Sequence, residues 1–265
     1  GLSTKGGGGN TVRNITASPE SGIARDQVFD VTPYAISMTS YLIADNRSFN
    51  LPRKFKIAFS CSPNDSALAS FSDLGFIAKI EAGKKGFKVF LGGSPSVRAM
   101  AGEVLFDFLP EEEIYNVADA AIELFNKYGN RKNRHKARLR YVFYKYGKGK
   151  VFELFEKHYS NKKGRDNQIA FNYLLQPERI NPYQCETVHT EAYKRWKSGY
   201  CKEQLQDGLY SVTVPFLHGN IENGKAEILA SFVEPFGYDV IRFTRRQNIM
   251  LRNIPGEYLG NLFNL

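Results

Sequence analysis

The sequence has few residues of the kinds on which ordinary catalytic and metal sites depend. Its three cysteines, Cys61, Cys185 and Cys201, lie far apart and show no C-x-x-C spacing, which argues against a disulfide framework and against a self-contained zinc or cluster site. The four histidines lack metal-ligand spacing, and we predict that His135 and His158 are exposed helix residues. Neither a G-x-S-x-G elbow nor a Walker loop is present. The sequence therefore argues against an unaided hydrolase or dehydrogenase.

Long apolar runs and targeting signals are also lacking. No stretch approaches the roughly 20 apolar residues that a membrane helix needs. The N-terminus is glycine-rich and polar, unlike the basic and then apolar start of a signal peptide. The run Gly6–Gly9 does not match a dinucleotide fingerprint, because no strand precedes it. We predict a cytoplasmic protein with no membrane partner.

What the sequence has in excess is positive charge. The 265 residues carry 36 Lys and Arg against 27 Asp and Glu, a formal net charge of +9, and 42% of them are apolar, enough for a sizeable core. A basic balance favours anionic partners through the field of the whole surface. Nucleic acid, a small oxyanion, a polycarboxylate cofactor and an acidic electron-donor protein would each fit, and the charge alone does not choose among them.

Hydrophobic periodicity divides the chain into a larger first part and a smaller second part. The first part, residues 1–165, reads as a mixture of strands and helices, with a helical pattern after Gly92-Gly93 and a helix after Pro110. Its other predicted elements are a helix over Asp26–Ala44, a strand over Phe55–Phe59, a β-hairpin of Gly75–Ile80 and Gly86–Leu91, and helical stretches over Lys136–Tyr146 and Val151–Tyr159.

The second part, residues 166–265, begins as an irregular linker after the polar segment Asn161–Asp166. A β-α-β-β pattern follows, over Leu209–Val214, Ala226–Phe232, Asp239–Phe243 and Asn248–Leu251. That pattern is too small to bury both faces of its own sheet, so we interpret it as half of a larger domain.

Three basic clusters are candidates for an anion site. The segment Gly9–Asn14 places Arg13 after a flexible glycine tract, whose backbone N–H groups can approach an anion closely. In Leu51–Lys56, strand alternation puts Lys54 and Lys56 on one face, where the two ammonium groups repel unless an anion lies between them. If Gly129–Arg138 is helical, its arginines at 131, 134 and 138 share a face. Each cluster taken singly is also compatible with a solvated basic surface.

These same segments, in this order, resemble the nitrite and sulfite reductase family. Gly9–Asn14 with Ser18-Pro19 is similar to its N-x-V-R-N segment, and Leu51–Lys56 to its L-P-R-K-F-K strand. Leu91-Gly92-Gly93 fits its glycine-rich haem-contacting loop, and Gly129–Lys136 its G-N-R-x-x-R run. Late in the chain, Gln206–Tyr210 and Thr244–Asn248 resemble its ferredoxin-like half domain.

The resemblance implies an α+β fold, with a mixed three-layer sirohaem-binding domain followed by the ferredoxin-like half domain. It implies part of an assimilatory-type enzyme for the six-electron reduction of sulfite or nitrite at sirohaem coupled to a 4Fe–4S cluster, with ferredoxin or a flavoprotein subunit as electron donor. By position, Arg13, Lys54 and Lys56 match the family's substrate-binding and proton-supplying residues. The residues matching cofactor contacts are Asn10, Thr11, Asn14, Gly92, Gly93, Arg131, Arg134, Lys136, Arg246 and Asn248.

The sequence departs from the family where the cluster ligands belong, since none of the three cysteines matches a ligand. The resemblance implies that those ligands, a C-x5-C and a C-x3-C, follow Leu265, so that this chain is an internal fragment and is inactive alone. Two alternatives stay open. One is a basic nucleic-acid-binding module, suggested by aromatic residues between the cations of Tyr141–Lys150. Most of those aromatic residues have the helical or strand periodicity of a core, so we predict no nucleic-acid partner. The other is a non-catalytic reductase homologue, which would not need Arg13, Lys54 and Lys56.

Overall fold

The computed structural model describes residues 6–95, 99–164, 169 and 182–265. The chain divides into two compact units, Gly1–Ser21 with Val28–Asn172, and Gly22–Gln27 with Tyr173–Leu265. The short segment Gly22–Gln27 belongs to the second unit because Leu205 N–H donates to the Ile23 carbonyl (2.8 Å) and Arg25 Nε to the Gln204 carbonyl (3.0 Å). The predicted boundary between residues 165 and 166 lies outside the described residues. A mixed α+β fold with two sheets is confirmed.

The first unit is built around a five-stranded sheet with the strands in chain order. Strands β1 to β3 run parallel, and β3 to β5 run antiparallel. The strands are β1 (Thr16–Ala17), β2 (Ile57–Ser60), β3 (Leu74–Glu81), β4 (Lys84–Leu91) and β5 (Glu103–Pro110). The helices are α1 (Thr32–Ala44), α2 (Ile114–Tyr128), α3 (Arg140–Tyr146) and α4 (Lys148–Tyr159).

One hydrophobic core fills this unit. Phe87 on β4 lies at its centre, and its ring contacts the rings of Phe29, Tyr34, Phe59 and Phe76 at centroid distances of 5.1–5.7 Å. Edge-to-face pairs of this kind are a favourable arrangement for aromatic rings. Because Phe59, Phe76 and Phe87 come from β2, β3 and β4, the core holds together the parallel and antiparallel strands from which the site loops emerge.

The predicted hairpin of β3 and β4 is confirmed, with a tighter turn than the sequence indicated. Glu81 pairs directly with Lys84, and the two residues between them, Ala82 (φ 49°) and Gly83 (φ 76°), both have positive φ. Two positive φ values are the geometry of the short turn that best matches strand twist.

Three element predictions in the first unit are wrong in part. The helix predicted from Asp26 begins at Thr32, because Val28 instead donates its N–H to the Cys61 carbonyl (2.7 Å). The helical pattern predicted after Gly93 contains the strand β5, which pairs with β4. The helix predicted over Lys136–Tyr146 is only α3, from Arg140, preceded by a separate short turn of helix at Arg134–Lys136.

The second unit contains a four-stranded antiparallel sheet in the order β6-β7-β9-β8. Its strands are β6 (Cys201–Glu203), β7 (Leu209–Val214), β8 (Ile241–Phe243) and β9 (Ile249–Pro255), and its helices are α5 (Glu191–Tyr200), α6 (Asn223–Val233) and α7 (Leu259–Asn264). The predicted β-α-β-β order corresponds to β7, α6, β8 and β9. The predicted irregular linker, in contrast, contains α5 and β6. No helix in the described parts of the chain is long and apolar enough to cross a membrane.

Candidate functional site

The first two basic segments of the sequence lie side by side in the first unit. The Leu51 N–H donates to the Asn10 carbonyl (2.7 Å), and the Phe55 N–H donates to the Thr11 carbonyl (2.9 Å). In the opposite direction, the Arg13 N–H donates to the Phe55 carbonyl (2.8 Å). Phe55 is fully buried between them. Backbone pairing therefore brings Arg13 close to Arg53 and Lys54, which are far from it in sequence.

The third basic segment reaches the same place because helix α2 ends against the second. A Cβ added at Gly129 would lie 2.6 Å from Cγ of Pro52, so only glycine permits this approach. Arg131 Nη1 then donates to the Asn50 carbonyl (3.0 Å). The segment that follows, 131–138, thus runs beside residues 50–54.

A buried ion pair completes the arrangement. Arg138 donates from Nη2 to Oδ2 of Asp73 (2.7 Å) and from Nε to Oδ1 (3.4 Å). Asp73 is fully buried, and Arg138 is 9% exposed. Burial raises the pKa of the Asp73 carboxyl, and the Arg138 guanidinium together with the Lys56 N–H (2.9 Å) opposes that rise.

The result is a group of cations that repel one another around a single buried carboxylate. We call Arg13, Arg53, Lys54, Lys56, Arg134 and Arg138 the cationic cluster. Burial lowers the pKa of Arg53, and the charges of Arg134, Arg13 and Arg138 lower it further. Burial likewise lowers the pKa of Lys54, with added repulsion from Arg138, Arg13 and Arg53. Such a cluster is stabilised by an anion that neutralises it.

Of the predicted catalytic residues, Lys54 and Lys56 flank buried Phe55 as the strand alternation indicated, and both are half-buried. Arg13 is in the cluster, but three of the five N–H groups of its guanidinium are engaged with its own loop. They donate to the carbonyls of Gly7 (3.0 Å) and Gly9 (3.0 and 3.2 Å). Arg13 therefore fixes the glycine tract beside the lysines.

The predicted common helical face of Arg131, Arg134 and Arg138 is wrong. The segment is not a continuous helix, so Arg131 is directed to Asn50 and Asn126, while Arg138 is buried against Asp73. Arg134 and Lys136 are exposed in a short turn of helix. Arg134 belongs to the cluster through its effect on Arg53.

The glycines predicted to contact a haem are required by packing within the protein. A Cβ at Gly92 would lie 2.5 Å from the Phe143 ring, and one at Gly93 would lie 2.6 Å from the Ser70 carbonyl. The same contact buries Phe143, one of the aromatic residues of Tyr141–Lys150 that the nucleic-acid hypothesis would use for base stacking.

The other predicted cofactor residues have local contacts. Asn10 and Thr11 supply the carbonyls that accept from Leu51 and Phe55, and exposed Asn14 donates its N–H to the Gly6 carbonyl (3.2 Å). Arg246 and Asn248 belong to the second unit. There, Asn248 Oδ1 accepts from the Phe216 N–H (3.1 Å) and Arg246 is exposed.

Arg53, Arg138 and Asp73 are not among the residues that the resemblance matches to substrate or cofactor contacts. Arg53 and Arg138 lay inside the quoted motifs, and their charge was the available signal. Asp73 carries no such signal, because an aspartate before an apolar strand is ordinarily a turn residue. Its burial depends on the ion pair with Arg138, which is 65 residues away in the sequence.

The residues present do not fit a 4Fe–4S cluster, which is held by cysteine thiolates. The sequence has three cysteines. Cys61 is buried in the first unit, whereas Cys185 and Cys201 lie in the second. Within the described residues, no group of three His, Cys, Asp or Glu side chains could hold a metal ion.

The fold and the site together define a class of protein. Its members have an α+β domain that collects cations around a buried carboxylate, followed by a ferredoxin-like half domain. The chain belongs to the nitrite and sulfite reductase family. Residues 8–163 match the nitrite and sulphite reductase 4Fe-4S domain, and residues 202–265 match the nitrite/sulfite reductase ferredoxin-like half domain. Sirohaem and a 4Fe–4S cluster are the cofactors that this family implies.

Individual relatives agree with this assignment. The chain is 27% identical to the assimilatory ferredoxin-dependent nitrite reductase of Haloferax mediterranei, over 99% of this chain and 44% of that protein. It is 29% identical to the ferredoxin–nitrite reductase of Synechococcus elongatus, over 99% of this chain and 48% of that protein. The fold matches the NirA protein of Mycobacterium tuberculosis with a TM-score of 0.75 and 24% identity, over 97% of this chain and 43% of that one. The chain thus spans less than half the length of each of these relatives.

Proposed function

We propose that this chain is the sirohaem- and anion-binding part of an enzyme that reduces nitrite or sulfite. The observation that carries the proposal is the cationic cluster, in which backbone pairing and a buried carboxylate collect cations that would otherwise repel. A polycarboxylate macrocycle and a small oxyanion are both complementary to such a surface. Exposed Arg134 and Lys136 are available for the carboxylates of sirohaem, and exposed Arg131 has further N–H groups besides those that it donates to Asn50 and Asn126.

Within this proposal, sirohaem supplies the redox chemistry when bound. The chain's own residues bind the anion and hold protons for it. Lys54 Nζ releases its proton more readily than an exposed lysine, since burial and neighbouring arginines lower its pKa, and a donor closer to neutrality transfers a proton more effectively. Lys56 and Arg13 add positive charge beside it, which stabilises negative charge as N–O or S–O bonds break.

We further propose that the cluster cysteines are contributed by sequence outside these 265 residues, because three cysteines in two units cannot supply the set. The isolated chain is then inactive in reduction. Its electron donor in the whole enzyme is an acidic ferredoxin or a flavoprotein subunit, which suits the net charge of +9. Reading the source gene past the codon for Leu265 tests this, and a whole gene without four further clustered cysteines would contradict it.

The site itself can be tested by adding sirohaem to the purified chain and following the visible absorption band of the macrocycle. We expect saturable binding, and then a shift of the band when sulfite or nitrite is added. The double variant K54M/K56M should still take up sirohaem while its anion affinity falls about 10- to 100-fold, because hydrogen bonds to charged groups contribute about 1.5–3 kcal/mol.

A matched control is Lys84→Met, which removes one exposed lysine at the β3–β4 turn. Its sirohaem and anion affinities should equal those of the unmodified chain. No saturable uptake of sirohaem, or an equal loss of anion affinity in Lys84→Met, would contradict the proposal.

A further inference from the structure

Asp73 contacts three of the segments that meet at or beside the cationic cluster. Its carboxylate accepts from Arg138, which ends the third basic segment, and from the Lys56 N–H in the second. Its backbone carbonyl accepts from the Gly92 N–H (2.8 Å), at the start of the glycine loop. One residue therefore joins three segments that are distant in sequence.

Asp73 is also a buried negative charge that acts on these cations. It is fully buried, and its charge acts on both Lys54 and Lys56. A buried carboxylate is costly unless it is paired and hydrogen-bonded, and the Arg138 guanidinium with the Lys56 N–H meets that requirement. Asp119 and Glu123, which are also paired with cations, belong to a separate network with Arg47 and Lys162.

We propose that Asp73 is the positioning residue of the cationic cluster: it fixes Arg138, the Lys56 backbone and the Gly92 loop in one arrangement and supplies their buried countercharge. This inference rests on the proposed function and adds to it the residue through which Lys54 and Lys56 are held. Asp73 itself does not reach the anion, because it is fully buried beneath the cations. Its action is through the residues that it binds.

The first test is the pKa of Lys54, followed by the ¹³Cε chemical shift in the full 265-residue chain and assigned with Lys54→Met. Asp73→Asn keeps the size of the side chain and an acceptor for the Lys56 N–H but removes the charge. If Asp73 positions the cluster and neutralises it, the pKa of Lys54 falls further in Asp73→Asn. If Asp73 only supports packing, its loss loosens the site, admits water and moves the pKa of Lys54 upward toward that of an exposed lysine.

Asp119→Asn is the matched control, since Asp119 is also buried (6% exposed) and paired with an arginine, Arg47, at 3.1 Å. It should leave the pKa of Lys54 unchanged. An unchanged or raised pKa in Asp73→Asn, or an equal fall in Asp119→Asn, overturns the inference.

The change Asp73→Asn leaves the buried Arg138 guanidinium without its countercharge, so this variant can fail to fold. A measurement on the unmodified chain then decides. Nitrogen NMR should show separate, slowly exchanging Nη resonances for Arg138, because the guanidinium is held by Asp73. A single averaged resonance would overturn the inference.

Sirohaem binding separates this inference from the proposed function. If the unmodified chain binds sirohaem, Asp73→Asn should bind it about tenfold more weakly while Asp119→Asn binds it normally. Equal affinities would overturn the role of Asp73 and leave the proposed function standing. If the unmodified chain takes up no sirohaem, the proposed function fails, and the pKa of Lys54 still decides whether Asp73 positions the cluster.

Discussion

Burial and the neighbouring arginines both oppose the positive charge of Lys54. In the folded chain its pKa is lowered below the ordinary value of 10.5 by burial and by Arg138, Arg13 and Arg53. Between the folded pKa and 10.5 the unfolded chain binds more protons, so this residue's effect on stability becomes more favourable as pH rises through that window. Below the folded pKa, the ammonium group destabilises the fold in full.

Lys54→Met should therefore raise the melting temperature at neutral pH, although it removes a proposed functional residue. Scanning calorimetry of the two chains from neutral to alkaline pH should show the advantage of the variant shrinking toward pH 10.5. Added sulfate should raise the melting temperature of the unmodified chain more than that of the variant, since it binds only the folded cluster. Lys84→Met is the control, and an identical pH profile for all three chains would contradict the prediction.

Gly92 is a position in the glycine loop where both the backbone conformation and the packing require glycine. Its φ is +88°, and an added Cβ would lie 2.5 Å from Cε2 of Phe143. Gly92→Ala should lower the free energy of unfolding by about 2–4 kcal/mol, since the left-handed conformation and the overpacking each contribute. Chemical denaturation measures it. Gly149→Ala, at an open position in α4, should instead be neutral or stabilising by up to about 1 kcal/mol. Equal effects of the two substitutions would contradict this reading of the loop.

At this scale the sequence indicates the cations and not the carboxylate that organises them. Lys54 and Lys56 could be identified because strand alternation is a local property. The burial of Asp73 is not local, because it depends on the end of α2 at Gly129 and on the approach of that end to Pro52. The same dependence made the predicted helical face of Arg131, Arg134 and Arg138 wrong.

Among the elements, those with a strong local signal were the ones the sequence predicted. Strand β7 was predicted with its bounds, and the β3–β4 hairpin was predicted from its turn residues. Strand β5 was missed because its bulged pairing with β4 breaks the alternation of buried and exposed residues. Helix α5 was missed because its sequence is strongly polar and none of its residues is fully buried.

Helix α5 instead depends on a local start signal. The Thr190 side chain accepts from the Tyr193 N–H (3.2 Å) as an N-cap. Thr190→Ala should lower the helix content of α5 and cost about 1 kcal/mol, measured by denaturation of the chain and by amide exchange of residues in α5. Thr190→Ser retains a capping hydroxyl and should behave as the unmodified chain does. Equal amide protection of α5 in all three chains would show that packing, and not the cap, holds the helix.

For the whole molecule, the composition favours anionic partners and does not distinguish among them. A net charge of +9 is compatible with several anionic partners, and only the assembled cluster favours a polycarboxylate cofactor and an oxyanion. The charge also extends beyond that cluster, with exposed cations along α4 and in the second unit. A protein partner, such as the electron donor proposed above, would meet the field of these cations as well as that of the cluster.

Association with an acidic ferredoxin should therefore depend strongly on salt. Raising the ionic strength from about 0.05 M to about 0.5 M shortens the screening length severalfold, and the association rate should fall by about tenfold or more. Stopped-flow or surface-binding kinetics on the 265-residue chain measure the rate. A ferredoxin whose surface carboxylates have been amidated is the control, and its rate should be slow and insensitive to salt. If the native ferredoxin is equally insensitive, the net charge does not steer a donor protein, and the excess of cations serves the cofactor and the substrate anion alone.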